Sequence, residues 1–97
     1  MSKGYWVVAY RSITDDSAVT AYGALAGPAL QSFGGRVLTK SSSRVQAREA
    51  GLQQRTIVVE FDNYDIALAA YESEAYQKAL GALGSGAQRD FRIVEGA

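Results

Sequence analysis

The chain has 97 residues, the size of one domain, and at that size about 64% of the unfolded surface is buried on folding, enough for one modest core. Ten Lys and Arg balance ten Asp and Glu, which argues against a nucleic-acid groove or an anionic membrane surface as a partner. With neither Cys nor His, the usual zinc sites, thiolate or Ser-His-Asp catalysis, His-ligated haem and disulfides are excluded, so any chemistry rests on Tyr, Arg, Lys, Asp, Glu and Ser.

The opening residues run directly into a strand, without the apolar core and small-residue cleavage site of a signal peptide. No apolar run approaches the ~20 residues that span a bilayer. The chain therefore reads as soluble and cytoplasmic, with no membrane partner. Residues 5–13 are rich in aromatic and β-branched types and form the first strand. Tyr5, Val7, Ala9 and Arg11 share one face of it; Trp6, Val8, Tyr10 and Ser12 share the other. Both faces are largely apolar, so the sheet needs cover on both sides.

Thr14-Asp15-Asp16-Ser17 supplies cap residues and first-turn carboxylates for a helix. Val19, Tyr22, Ala26, Ala29, Leu30 and Phe33 make its apolar stripe. Pro28 removes a backbone donor and clashes with the preceding turn, which predicts a kink or break before the chain turns at Gly34-Gly35. Gly34 is the expected left-handed residue after the helix.

Residues 36–40 form a second strand around Val37 and Leu38. The stretch from Ser41 to Gln54 has three consecutive serines and no clear period, which suits a mobile loop or a loose hairpin arm. Residues 55–61 are the clearest strand, with the run Thr56-Ile57-Val58-Val59-Glu60-Phe61. Asp62 or Asn63 caps the next helix, whose stripe is Ile66, Ala69 and Ala70. Ser73 caps another, with Tyr76, Leu80 and Leu83 aligned, ended by Gly81, Gly84 and Gly86. Residues 89–95 are the last strand, with Phe91 and Ile93 opposite Arg92 and Val94.

The order β-α-β-β-α-β is that of a ferredoxin-like α+β fold with a four-stranded antiparallel sheet. Helices cover one face. Trp6, Val8 and Tyr10, with the apolar residues of the third strand, are assigned to the other, where a second copy of the chain is the simplest cover.

Several short motifs recur together: Lys3-Gly4-Tyr5-Trp6, Tyr22 with Pro28 ahead of Phe33-Gly34-Gly35-Arg36, then Arg55-Thr56-Ile57-Val58-Val59-Glu60-Phe61. Ala67-Leu68, Tyr71-Glu72-Ser73, Tyr76-Gln77 and Ile93-Val94-Glu95-Gly96 follow. In this order and spacing the chain resembles the domain-of-unknown-function family 1330, within the dimeric α+β barrel superfamily. The resemblance implies a single dimeric α+β barrel domain over residues 1–97 and a pocket, but no agreed activity. Two features depart from the family: Ala70 stands where a Trp usually precedes the Tyr, and residues 48–54 lack the customary Glu-Gly pair and Pro.

The aromatic residues read first as core and dimer contacts. The sharper reading is an apolar cleft between sheet and helices with phenol hydroxyls converging on a ligand. Its candidate ligand-binding residues are Tyr71, Tyr76, Trp6, Tyr22, Phe61 and Arg55. Tyr71 and Tyr76 lead, because the Ser73 helix start lies between them and its backbone N–H groups suit a carboxylate or enolate oxygen. Glu60 is either an ion-pair partner of a strand arginine such as Arg11 or Arg92, or a general base in a cavity. Tyr71 and Glu60 are thus the catalytic candidates. Arg36, Arg55 and Arg89 stand at strand starts, where an Arg can reach a pocket rim, while solvated ends or surface ion pairs are the default. Asp15 and Asp16 are explained by capping. Gly34-Gly35 lacks the context of a dinucleotide loop, and no cofactor or metal site is expected.

Two functions follow. One is a small-molecule-binding domain, extending to a cofactor-free isomerase- or monooxygenase-like enzyme acting on a small organic ligand. The other is a non-catalytic dimeric structural or stress-related module. A void of about 300 Å³ or more, lined by Tyr hydroxyls, favours the first.

Overall fold

The computed structural model describes residues 2–97. Its elements are β1 (Gly4–Ile13), α1 (Asp16–Ser32), β2 (Arg36–Val37), β3 (Thr56–Phe61), α2 (Tyr64–Glu72), α3 (Glu74–Leu83) and β4 (Ala87–Glu95). The sheet runs β2-β3-β1-β4 with every pairing antiparallel, the ferredoxin-like α+β arrangement. All three helices lie on one face.

That face carries Trp6, Val8 and Tyr10, all buried, beside Val59 and Phe61. This reverses the expected assignment: the helices, and not a second copy, cover Trp6. Size decides it, because the indole and the Tyr10 ring need the thicker layer that Ala26, Ala67, Ala70 and Ala79 leave space for. The Trp6 Nε1–H donates to the Ala67 carbonyl at 2.8 Å, fastening β1 to α2. The outer face presents Tyr5, Val7 and Ala9 opposite Glu60, Val58 and Thr56 of β3. Lys3–Asp62, Arg36–Glu60 and Arg11–Asp90–Arg92 form an ionic rim there.

The caps are the ones their residue types favour. Asp15 Oδ1 accepts from the N–H groups of Ser17 and Ala18, Asn63 Oδ1 accepts from Ile66 N–H, and Ser73 Oγ accepts from Tyr76 N–H. Gly34 closes α1 at φ +72°. In α2 the buried positions are Ala67 and Ala70, while Ala69 faces solvent. Gly81 lies inside α3, and Gly84 ends it.

Two boundaries differ from expectation. Helix α1 continues through Pro28 without a break. Ala24, whose carbonyl loses its helical donor, and Pro28 itself are both exposed, so water satisfies the freed group. Strand β2 stops after two residues instead of reaching Lys40. Leu38 N–H still donates to the Val58 carbonyl, and the Thr39 hydroxyl then substitutes for the backbone. It accepts from Val58 N–H at 2.9 Å and donates to the Thr56 carbonyl at 2.8 Å.

Candidate functional site

A cleft of about 170 Å³ lies between α1 and the sheet. Trp6, Val8 and Tyr10 of β1 and Ile57 and Val59 of β3 form its floor; Tyr22, Gly23, Ala26, Gly27 and Leu30 of α1 form its wall. Arg89 of β4 closes one end. A shallower recess of about 310 Å³ shares Tyr10, Tyr22, Gly23 and Ile57 and adds Thr20, Ser41 and Arg55. The inner cleft is smaller than the about 300 Å³ typical of drug-sized ligands. It is close to the ~150 Å³ cavity known to accept benzene, so it suits one ring or its aliphatic equivalent.

Two of the residues lining the α1 wall, one turn apart, are glycine. A Cβ at Gly23 or Gly27 would meet nothing within 4 Å. Neither has a positive φ, so neither backbone conformation nor close packing calls for glycine. A glycine inside a helix costs about 0.5–1 kcal/mol relative to alanine, a penalty the fold accepts twice along this wall.

The polar end is set by strand register. Tyr10 and Arg89 are direct partners across β1 and β4, and the register shifts between Tyr10 and Ser12, next to them. Such irregularities re-aim side chains beside sites. The Arg89 guanidinium lies 4.7 Å from the Tyr22 ring centroid, 5.3 Å from that of Phe91 and 5.6 Å from that of Tyr10. It donates to Tyr22 Oη at 3.0 Å and to Tyr76 Oη at 3.5 Å. The two phenol oxygens are 2.7 Å apart. Burial pushes the Tyr76 phenol far above its ordinary value, so it stays protonated. Arg55 stands 5.4 Å from the Tyr10 ring centroid, held there because Tyr10 N–H donates to its carbonyl.

Proton accounting gives the phenol pair a direction. The O···O contact alone allows either phenol to donate, but Tyr76 is fully buried and, among the described residues, Tyr22 Oη is the one acceptor its hydroxyl meets. Satisfying that buried donor makes Tyr76 the donor and Tyr22 the acceptor. Tyr22 then accepts from Tyr76 and Arg89 together, leaving its own proton for the cleft it lines.

The residues expected from sequence divide clearly. Trp6 and Tyr22 line the cleft, Arg55 lines the recess, and Tyr76 supports Tyr22 from behind. Phe61 and Tyr71 do not line it. Phe61 packs on Trp6 at 5.1 Å, and Tyr71 packs on Trp6, Tyr76 and Phe91 at 6.1, 5.3 and 5.1 Å. Glu60 is on the outer face, where Arg36 Nε donates to it at 2.9 Å and Tyr5 Oη at 3.2 Å. Its partner is thus Arg36, not Arg11 or Arg92. The Arg36 guanidinium holds its carboxyl below the usual range, the reverse of what a general base needs. Gly23 and Gly27 are not among the residues the sequence suggests, while Tyr10, one of the aromatic set, and Arg89, one of the strand-start arginines, take a larger part than the sequence assigns them. Arg89 alternates with Phe91 and Ile93 along β4, and the glycines fall on the apolar stripe of α1; both patterns were open to inspection.

With this geometry in place, the comparison with known proteins is direct. Residues 3–97 match the domain of unknown function DUF1330. The chain belongs to that family. A DUF1330 relative would share the whole fold, since the match spans every element from β1 to β4. No curated protein matches the sequence. Among solved structures, a protein of unknown function from Rhodopseudomonas palustris superposes with a TM-score of 0.72 at 17% identity, over 97% of this chain and 80% of that one. A Nitrosomonas europaea protein provisionally assigned as an antibiotic biosynthesis monooxygenase gives 0.60 at 15% identity, over 99% and 92%. An ethyl tert-butyl ether d (EthD) family protein from Bacillus halodurans gives 0.58 at 11%, over the full length of both. At these identities the likeness is one of fold. No helix among the described residues is long and apolar enough to cross a membrane.

Proposed function

We propose that this DUF1330 domain binds one small organic molecule in the cleft between α1 and the sheet, and works as a homodimer joined through the outer sheet face. The observation that carries the first half is the wall of Gly23 and Gly27: two helix-weakening residues line an apolar space that ends at Arg89 and Tyr22. The second half is supported by the outer face, where Val7 and Val58 sit inside a rim of self-neutralised ion pairs and Leu38 and Val94 are exposed. Such a surface suits a like surface.

The reading extends to cofactor-free enzymology of the isomerase or monooxygenase kind. Tyr22 is then the group that holds or delivers a proton to a substrate oxygen, with Arg89 stabilising charge there. Its support is the orientation of the Tyr22 hydroxyl, together with a fold shared with a provisional monooxygenase. The competing reading, a non-catalytic module, draws on Phe61, Tyr71 and Tyr76, whose rings are core.

Titration with the neutral probe benzamide, followed by amide NMR, separates them. Shifts centred on Gly23, Gly27 and Ile57, abolished in Gly27→Leu, support the binding reading. Absence of such shifts with both benzamide and its anionic isostere benzoate at millimolar concentration overturns it.

A further inference from the structure

We propose that the cleft is an organic-anion site: it takes a small carboxylate or enolate whose ring-sized apolar body rests on Val8, Leu30 and Val59 and whose oxyanion meets Tyr22 and Arg89, with Arg55 adding positive potential from the recess. This deepens the small-molecule reading and rests on it.

Lys3, Arg11, Arg36 and Arg92 each have a carboxylate within 4 Å, all at or around the outer face. Among the described residues, Lys40, Arg44, Arg48 and Lys78 are without one but line neither the cleft nor its recess; Arg55 and Arg89 are the two basic side chains that line one or the other and have no carboxylate within 4 Å. The acids nearest them in the sheet point away. Asp90 follows Arg89 but pairs with Arg11 and Arg92 on the other side, and Glu60 is bound to Arg36. Arg89 is also partly buried. A guanidinium always carries its charge, and a cation withdrawn from water without a counter-ion is costly. Aromatic faces and two phenol oxygens offset part of that cost. They leave the net positive charge unneutralised.

Arg55 and Arg89 lie 5.4 and 5.6 Å from the Tyr10 ring centroid and reach it from either side of β1, so positive charge stands both at the end of the cleft and in the adjoining recess. The neighbouring hydroxyl is also a donor, since Tyr22 accepts from Tyr76 and Arg89 and has its proton to give. Tyr22 and Arg89 meet at the polar end of the cleft, Arg55 lines the recess beside it, and no acid lines either. A neutral ligand would leave the charge unanswered; a monoanion answers it and adds charge-assisted hydrogen bonds. The inner volume of about 170 Å³ limits the apolar body to about one ring.

The test compares benzoate with its neutral isostere benzamide by calorimetry and amide NMR on the intact protein. The expected result is benzoate affinity at least about tenfold above that of benzamide, an advantage that shrinks with added salt. Arg55→Met, at the accessible recess, removes much of the advantage, and Arg89→Met removes most of it. Arg89→Lys keeps the charge and retains part, which covers the case in which Arg89→Met does not fold. Equal affinities in the unaltered protein, or an advantage untouched by Arg55→Met and both Arg89 variants, overturn the anion proposal while benzamide binding keeps the small-molecule reading. If neither probe binds, both fall.

Discussion

The hydroxyls of Tyr22 and Tyr76, on different helices and 54 positions apart in the chain, meet at 2.7 Å with the Arg89 guanidinium against both. The contact joins α1, α3 and β4 at one point and gives an otherwise apolar cleft its polar end. Because Tyr76 is the donor, the two hydroxyls are not equivalent. Tyr22→Phe leaves the buried Tyr76 proton without an acceptor and should cost about 1–3 kcal/mol. Tyr76→Phe removes the donor and leaves Tyr22 with Arg89, at about 1 kcal/mol or less. Denaturant unfolding of both variants decides the direction: the reverse order would place the proton on the Tyr22 side. Tyr71→Phe is the control, since the Tyr71 ring packs against neighbours and its hydroxyl has no hydrogen-bond partner among the described residues; neither stability nor benzamide binding should change.

Gly23→Ala and Gly27→Ala should each raise stability, by about 1 kcal/mol or less, because alanine is the better helix former and its Cβ meets nothing. For a domain of this size that is a rise of roughly 4–8 °C in Tm per kcal/mol. A fall in Tm would show that the glycines serve the fold and not the space beside it.

Acid should unfold the protein through specific carboxylates. The Ser17 hydroxyl, bonded to Asp15, holds that carboxyl below its ordinary value; Arg36 does the same for Glu60 and Arg92 for Asp90. A depressed folded-state value means that each contribution is complete above the ordinary carboxylate range, near 4, and is lost as pH falls through the depressed value. With no histidine in the chain, no side chain of ordinary pKa titrates between pH 5 and 8. Tm should therefore be flat across that interval and drop below it. Asp15→Asn, which keeps a capping oxygen but does not titrate, should shallow the drop; an unchanged slope would remove Asp15 from the account.

Association can be separated from folding by the two faces of β1 and β3. Val58→Asp on the outer face should give a folded monomer by sedimentation equilibrium, because the charge forbids a dry contact between sheets. Val8→Asp, in the core, should prevent folding instead. A Val58→Asp protein that remains dimeric would move the interface elsewhere.

Hydrogen exchange should be fastest over residues 38–55, which contain no helix or strand. Its internal ties are local: three short backbone turns, the Ser43 hydroxyl, which accepts from Lys40 N–H, and the Gln54 amide, which accepts from Arg55 N–H. The Arg48 guanidinium also donates to the Ala47 carbonyl, and the Gln53 amide accepts from Ala47 N–H and donates to the Val45 carbonyl. Protection matching that of Thr56–Phe61 would contradict this.

Much of the architecture was legible because local chemistry and global fold agree. Aromatic and β-branched runs marked β1 and β3, and Asp15, Asn63 and Ser73 cap where their side chains permit. Pro28 misled because a proline's cost depends on which side of the helix loses its hydrogen bond, and here that side is wet. Trp6 went to the wrong face because both faces of β1 are apolar, and only the volume available beneath alanine-rich helices distinguishes them. The site was the least legible part. Tyr22 and Arg89 are 67 residues apart, and their meeting depends on the Tyr10–Arg89 register, which no local pattern encodes. Tyr71 drew attention through its place before a helix cap, yet the chain directs its ring into the core.

The Thr39 hydroxyl that completes the second strand has a consequence for how sheets from different molecules can meet. An exposed edge is a template for adding strands, and proteins blunt it by shortening it. Here the β2 edge offers only Arg36 and Val37 before a side chain takes over the ladder. A foreign strand finds two residues of register there, too few to hold. The opposite edge, β4, runs for nine residues and carries charges at Arg89, Asp90 and Arg92. Sheet extension is thus discouraged by brevity on one side and by charge on the other, so a partner would find the outer sheet face, and not an edge, the surface suited to it.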